Sequence, residues 1–146
     1  MASVNTYLHF NGNCLEAFEF YKSVFGGEFP YVGRFSDMPK GEDTSNLHEG
    51  DKNLIMHISL PISKDTMLMG SDMPGEWADH FKQGNNFSIS INTDSREEAD
   101  ELFNGLSAGG QVTMPMNETF WGDYFGMFND KYGIGWMVSF PVKAQD

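Results

Sequence analysis

One order of elements, strand, helix and then three strands, is written twice along this chain, and it restricts the fold more than any other feature. In the first half, Val4 to Phe10 is rich in β-branched and aromatic residues and predicts a short strand. Asn13 followed by Glu16 is a capping-box-like helix start, and Ala17, Phe18, Tyr21, Val24 and Phe25 form one apolar stripe at helical spacing. Gly26-Gly27 stops that helix. Glu28 to Ser36 predicts a second strand, with Pro30 tolerable at a sheet edge. Asp37 to Lys52 is polar and reads as a long loop. Asn53 to Ile62 and Asp65 to Ser71 predict a hairpin, and Asp72 to Asn86 a connector between the halves.

The second half repeats the layout. Phe87, Ile89 and Ile91 alternate with Ser88, Ser90 and Asn92, a period of two that predicts a strand. Ser95 with Glu98 is a second capping box, and Ala99, Leu102, Phe103 and Leu106 give a second helical stripe, closed by Gly109-Gly110. Three strands are expected near 111–119, 122–129 and 134–140. Asn11 and Asn92 close corresponding strands 81 residues apart, and the helix pairs Glu16-Ala17 and Glu98-Ala99 lie 82 apart. Met69-Gly70-Ser71 matches Met137-Val138-Ser139 at an offset of 68. The offsets vary, but with the shared order of elements they indicate an internal duplication.

Composition narrows the function classes. Nine basic against 21 acidic residues give a formal charge of −12. That is the wrong sign for displacing counterions from nucleic-acid phosphates, so no nucleic-acid partner is expected. With 40% hydrophobic residues the chain can bury a core, yet no apolar run approaches the roughly 20 residues that span a bilayer. The N-terminus MASVNTYLHF lacks a basic region followed by an apolar core, and the single cysteine, Cys14, excludes an intramolecular disulfide framework. A cytoplasmic location with no membrane partner is the expectation. Asn117-Glu118-Thr119 fits the glycosylation pattern but has no export signal to give it meaning.

Four segments resemble the PhnB-like branch of the vicinal oxygen chelate superfamily, which includes glyoxalases, extradiol dioxygenases and bleomycin-resistance proteins. They are NGNCLEAFEFYKSVFGGE at 11–28, IMHISLP at 55–61, NNFSISINTDSREEADELFNGLSAGG at 85–110 and MPMNETFWGDYFGMFNDKYGIGWM at 114–137, in the family's order. The resemblance implies an α+β fold, a single domain of two βαβββ modules (about 1–72 and 86–146) forming a curved mixed sheet around a cavity. It also implies a homodimer. Some members of this branch carry a ubiquinone methyltransferase label. No G-x-G-x-x-G follows any expected strand, so the nucleotide-cofactor turn of a methyltransferase is not found.

Metal-using members of the superfamily place a ligand on the first and last strand of each module. The resemblance puts the first-strand His at Thr6, whose repeat mate is Phe87, and the last-strand Glu at Met137, whose mate is Met69. Thr6, Met69, Phe87 and Met137 offer no imidazole or carboxylate to a divalent ion. Shifting by one residue gives Tyr7, Ser88, Trp136 and Leu68, which is no better. No cofactor is therefore expected, and a divalent metal would have to sit elsewhere.

Other chemistry rests on scattered candidates. His57, mid-strand between Met56 and Ile58, reads as a cavity base or as a packed histidine. His9 points to the face opposite Leu8 and Phe10, where packing is the plainer reading; His48 and His80 fall in polar connectors. Glu118, beside Phe120 and Trp121, is either a desolvated acid/base or a solvated, ion-paired charge. Trp121, Phe120, Tyr124 and Phe125 read as an aromatic pocket or as core filling. Ten methionines suggest a deformable interior. Cys14 falls at a helix start, where the dipole lowers a thiol pKa. The leading expectation is a protein that binds a small apolar or amphipathic molecule without the usual metal, its cavity lined by Thr6, Met69, Phe87, Trp121 and Met137. The alternatives are a lyase- or isomerase-type enzyme using Glu118 and His57, with or without a displaced divalent metal, and an assembly module that uses its sheet edges.

Overall fold

A computed structural model describes residues 2–38 and 49–142. The chain divides into two compact units, Met1–Lys82 and Gln83–Asp146, with the division inside the expected connector. In unit 1 the elements are β1 (Thr6–Phe10), α1 (Cys14–Phe25), β2 (Tyr31–Arg34), β3 (Ile55–Pro61) and β4 (Met67–Asp72). Its sheet runs β1-β4-β3-β2, with β1 parallel to β4 and the other pairs antiparallel. Unit 2 repeats the plan with β5 (Ile89–Asn92), α2 (Arg96–Ser107), β6 (Gln111–Glu118), β7 (Asp123–Asn129) and β8 (Gly135–Pro141). Its sheet order, β5-β8-β7-β6, is the same arrangement, again with its first strand parallel to its last. Each unit is thus a βαβββ module.

Several expected elements have different bounds. β2 is confined to Tyr31–Arg34, so Glu28 to Pro30 lead into it rather than belong to it. Of the long polar loop, residues 39–48, including His48, lie outside the described residues, and Glu49–Asn53 makes a short 3₁₀ turn. The connector holds a second such turn at Gly75–His80, which leaves His80 exposed. No described helix is long and apolar enough to cross a membrane.

Each helix packs its stripe on one face of its own sheet. In unit 1, Ala17, Phe18 and Tyr21 of α1 are fully buried with Leu8, Phe10, Ile58, Leu60 and Leu68. In unit 2, Ala99, Phe103 and Leu106 of α2 are buried with Phe128, Trp136 and Val138. Burying a side chain of this size contributes about 1.5–3 kcal/mol. Glycine makes the close approach possible: a Cβ on Gly70 of β4 would lie 2.7 Å from the Phe18 ring. Gly126 of β7 does the same for Phe103, also at 2.7 Å. None of the described methionines belongs to this fully buried core, so the interior is built from branched and aromatic side chains rather than from deformable ones.

The two helix starts differ. Ser95 caps α2 as expected, its Oγ accepting from the Glu98 amide at 3.0 Å, while the Glu98 carboxylate accepts from the Asp94 amide at 2.9 Å. Asn13 makes no side-chain cap on α1. A carboxylate from the neighbouring strand replaces it: buried Asp72, at the end of β4, accepts from the Gly12 and Cys14 amides through Oδ1. Its Oδ2 accepts from the Ile55 amide at 2.9 Å, so one side chain ties the helix start to two strands.

Candidate functional site

Successive strand residues point to opposite faces, and paired residues on adjacent strands share a face. In unit 1, Leu8, Gly70 and Ile58 are linked by pairing and lie on the α1 side. Tyr7 pairs with Met69, His9 with Ser71, Ser59 with Met69, Tyr31 with Ser59 and Gly33 with His57, so these residues form the opposite, open face. β1, β3 and β4 contribute no Asp, Glu, Lys or Arg to it, because Asp72 points to the α1 side.

On that face the aromatic side chains meet in a row. His9 and Tyr7 have ring centroids 5.2 Å apart, Tyr7 and His57 5.5 Å, and His57 and Tyr31 5.8 Å. Tyr7 reaches across β4 so that its hydroxyl and His57 Nδ1 share a hydrogen bond of 3.1 Å. His9 Nδ1 and the Ser71 hydroxyl are 3.5 Å apart. Tyr31 lies back over Gly33, where a Cβ would be only 2.5 Å from its hydroxyl oxygen. The glycine is what lets that ring settle beside His57.

Of the residues singled out in the sequence, His57 and Met69 stand on this face. Thr6 does not. It shares a face with Leu8 and Phe10, on the α1 side, so the position equivalent to a first-strand ligand is one residue along, at Tyr7. Phe87 is a second correction. It precedes β5 and is 57% exposed; the pairing of Ser90 with Met137 makes Ser90 the equivalent of Tyr7, which pairs with Met69. Met137 is on the open face of the unit 2 sheet, beside Met127. Tyr7 with Met69, and Ser90 with Met137, supply no imidazole or carboxylate, so these positions do not fit a divalent ion. Among the described residues no three His, Cys, Asp or Glu side chains come together as a metal site.

Glu118 lacks the apolar surroundings on which an acid/base role was expected. It ends β6 paired with Tyr124, its side chain is 61% exposed, and it is ion-paired with Arg96 at the start of α2. The Arg96 guanidinium lies 4.2 Å over the Tyr124 ring, and the Tyr124 hydroxyl donates to Asp100 of α2. That hydrogen bond to a carboxylate raises the Tyr124 pKa. His57 belongs to unit 1 and Glu118 to unit 2. Trp121 sits in the turn between β6 and β7, half exposed, with its indole nitrogen donating to Asp123 and its ring against Phe120 and Phe125. Phe120 is almost fully exposed, so this group is a surface cluster and not core filling. Cys14 is a further correction. It stands at the first position of α1, but burial and the charge of Asp72 push its thiol pKa far upward, outweighing the helix dipole.

The comparisons with known proteins bear on this geometry. A profile described as 3-demethylubiquinone-9 3-methyltransferase matches residues 2–139. Protein YjdN of Escherichia coli (strain K12) is 32% identical over 97% of each chain. The chain belongs to the 3-demethylubiquinone-9 3-methyltransferase (PhnB-like) family. Protein PA1353 from Pseudomonas aeruginosa is similar in structure too, with a TM-score of 0.78 and 38% identity, covering 97% of this chain and 98% of that one. The fold of this PhnB-like chain is the glyoxalase-like one. A glyoxylase/bleomycin resistance protein/dioxygenase domain from Frankia superposes with a TM-score of 0.66 at 16% identity, covering 99% of this chain and 96% of that domain.

Tyr7, Tyr31 and His9 join His57 on this face, although the sequence by itself gives Tyr7 and Tyr31 no part in a site and His9 only a packing role. The signal was present: Tyr7 and His9 alternate with Leu8 and Phe10, and His57 and Ser59 flank Ile58. It needed only the knowledge that β4 lies between β1 and β3.

Proposed function

We propose that this PhnB-like chain binds a small amphipathic molecule on the open face of the unit 1 sheet, without a metal at the positions its superfamily uses. The observation behind this reading is the Tyr7–His57 hydrogen bond within a face to which β1, β3 and β4 contribute no charge. A face that mixes ring surface, the Met69 thioether and a few directed polar groups matches the usual make-up of small-molecule sites. The methyl transfer in the family's description is not part of the proposal, since the strand-to-helix turns FNGNC and NTDSR lack the glycine pattern that receives a nucleotide cofactor. The test is a thermal-shift screen of the full chain against small metabolites, with hits titrated against His57→Ala and Tyr7→Phe. Affinity should fall in both variants. A hit bound equally well by all three proteins would place the site elsewhere.

The same hydrogen bond supports a second reading, an enzyme of lyase or isomerase type in which His57 moves a proton and Tyr7 orients its ring. In the solvent-exposed setting of Glu118, a partner role for that carboxylate has less support than one for Tyr7. Turnover that survives His57→Gln would end this reading while leaving the binding one intact. Self-association is also proposed. Edge strand β6 exposes Val112 and Met114, and the adjoining turn exposes Phe120 and Trp121, an apolar surface suited to a second copy. Sedimentation equilibrium of Met114→Lys against the parent chain tests it; a parent that stays monomeric at high concentration would refute it.

A further inference from the structure

The ring row has a direction and a chemistry that narrow the ligand class, and the argument rests on the binding reading above. His9, Tyr7, His57 and Tyr31 come from β1, β3 and β2 and cross the sheet in that order, with interplanar angles of 43°, 36° and 45° between neighbours. Rings tilted this way present both their electron-rich faces and their positive edges to an incoming ring, the geometry in which aromatic pairs attract. Tyr7 is 39% exposed and Tyr31 48%, so ring surface is open to a ligand at two places along the row. The Tyr7 hydroxyl and His57 Nδ1 share one hydrogen bond; in the tautomer where the hydroxyl donates, the imidazole proton sits on Nε2. No hydrogen-bond partner holds that Nε2 among the described residues. Ser59 and Ser71 point to the same side of the sheet but are buried beneath the row, and no carboxylate from β1, β3 or β4 stands there to repel an anion.

We infer that the row selects a planar aromatic molecule carrying an acceptor oxygen at its edge, such as an aromatic carboxylate or phenolate. Its ring packs against Tyr7 and Tyr31 while His57 Nε2–H donates to its oxygen. The row offers ring surface and directed polar groups with no acidic or basic side chain from β1, β3 or β4, the make-up of a small-molecule site.

The experiment uses the full chain with two probes, 4-hydroxybenzoate and cyclohexanecarboxylate, which share a carboxylate but differ in aromaticity. Heteronuclear NMR follows the ring protons of His9 and His57 and the amides of β1 to β4 during millimolar titrations. Only 4-hydroxybenzoate should shift them saturably. Tyr31→Ala, on a half-exposed edge-strand residue whose loss leaves the core intact, should weaken that affinity about two- to tenfold, the range for one aromatic contact. Tyr31→Phe should restore it. Equal response of the row to both probes would overturn the aromatic selection and leave the site in place. Saturable shifts confined to other residues would overturn the site itself. No saturable shift with either probe would overturn the ligand class. Probe-free shifts of the row on dilution would assign the face to a second copy instead.

Discussion

Single side chains in this protein do work that their sequence neighbours do not announce. Asp72 satisfies two amides at the start of α1 and one on β3, so its loss leaves buried donors without partners. Each such donor costs about 1–3 kcal/mol. Asp72→Ala should therefore lower unfolding free energy in urea by about 3 kcal/mol or more, and Asp72→Asn, which keeps one acceptor oxygen, by less. Tyr124 gives a pH signature. Its hydrogen bond to Asp100 raises its pKa in the folded chain, so it contributes stability that is present below the ordinary tyrosine value of about 10 and is lost as pH climbs through the raised value. The group is only partly buried, so the effect is small. The difference in Tm between the parent and Tyr124→Phe should shrink as the pH is raised past about 10; a constant difference across that range would deny the coupling.

At the scale of elements, helix stripes and strand alternation were readable because they are local. Ala17, Phe18 and Tyr21 recur at the helical spacing that faces a sheet, and all are buried. The depth at which those helices seat depends on glycines in strands that are far away in sequence. Gly70→Ala puts a methyl 2.7 Å from the Phe18 ring, and since Phe18 is held on all sides the overpacking should cost about 1–3 kcal/mol. Thermal unfolding measures it, and an unchanged Tm would mean that α1 moves freely on the sheet. The strand register was less legible. Counting from Asn11 to Asn92 matched Thr6 to Phe87, whereas the pairing of both β1 and β5 with the last strands of their modules matches Tyr7 to Ser90. Bounds set by local composition slip by a residue or two, and one residue is enough to exchange the two faces of a sheet.

For the molecule as a whole, the charge of −12 repels anions at long range. If the ligand is an aromatic carboxylate, raising ionic strength from about 0.01 M to 0.15 M shortens the Debye length from about 30 Å to 8 Å and should tighten binding. Isothermal titration at the two salt concentrations reads this directly, and weaker binding in salt would point to a local cation at the site. The duplicated order of elements, the two helix stripes, the side of β1 on which His9 stands and the acidic balance were all determined by the sequence, because each depends on near neighbours or on totals. Tertiary structure alone decided that β4 enters between β1 and β3, that Asp72 caps α1 in place of Asn13, and that Glu118 meets Arg96 in water. It also decided that His9, Tyr7, His57 and Tyr31 stand in one row. Those facts are set by pairing between segments tens of residues apart, where backbone hydrogen bonding and burial across the whole sheet choose the partner and no local pattern encodes it.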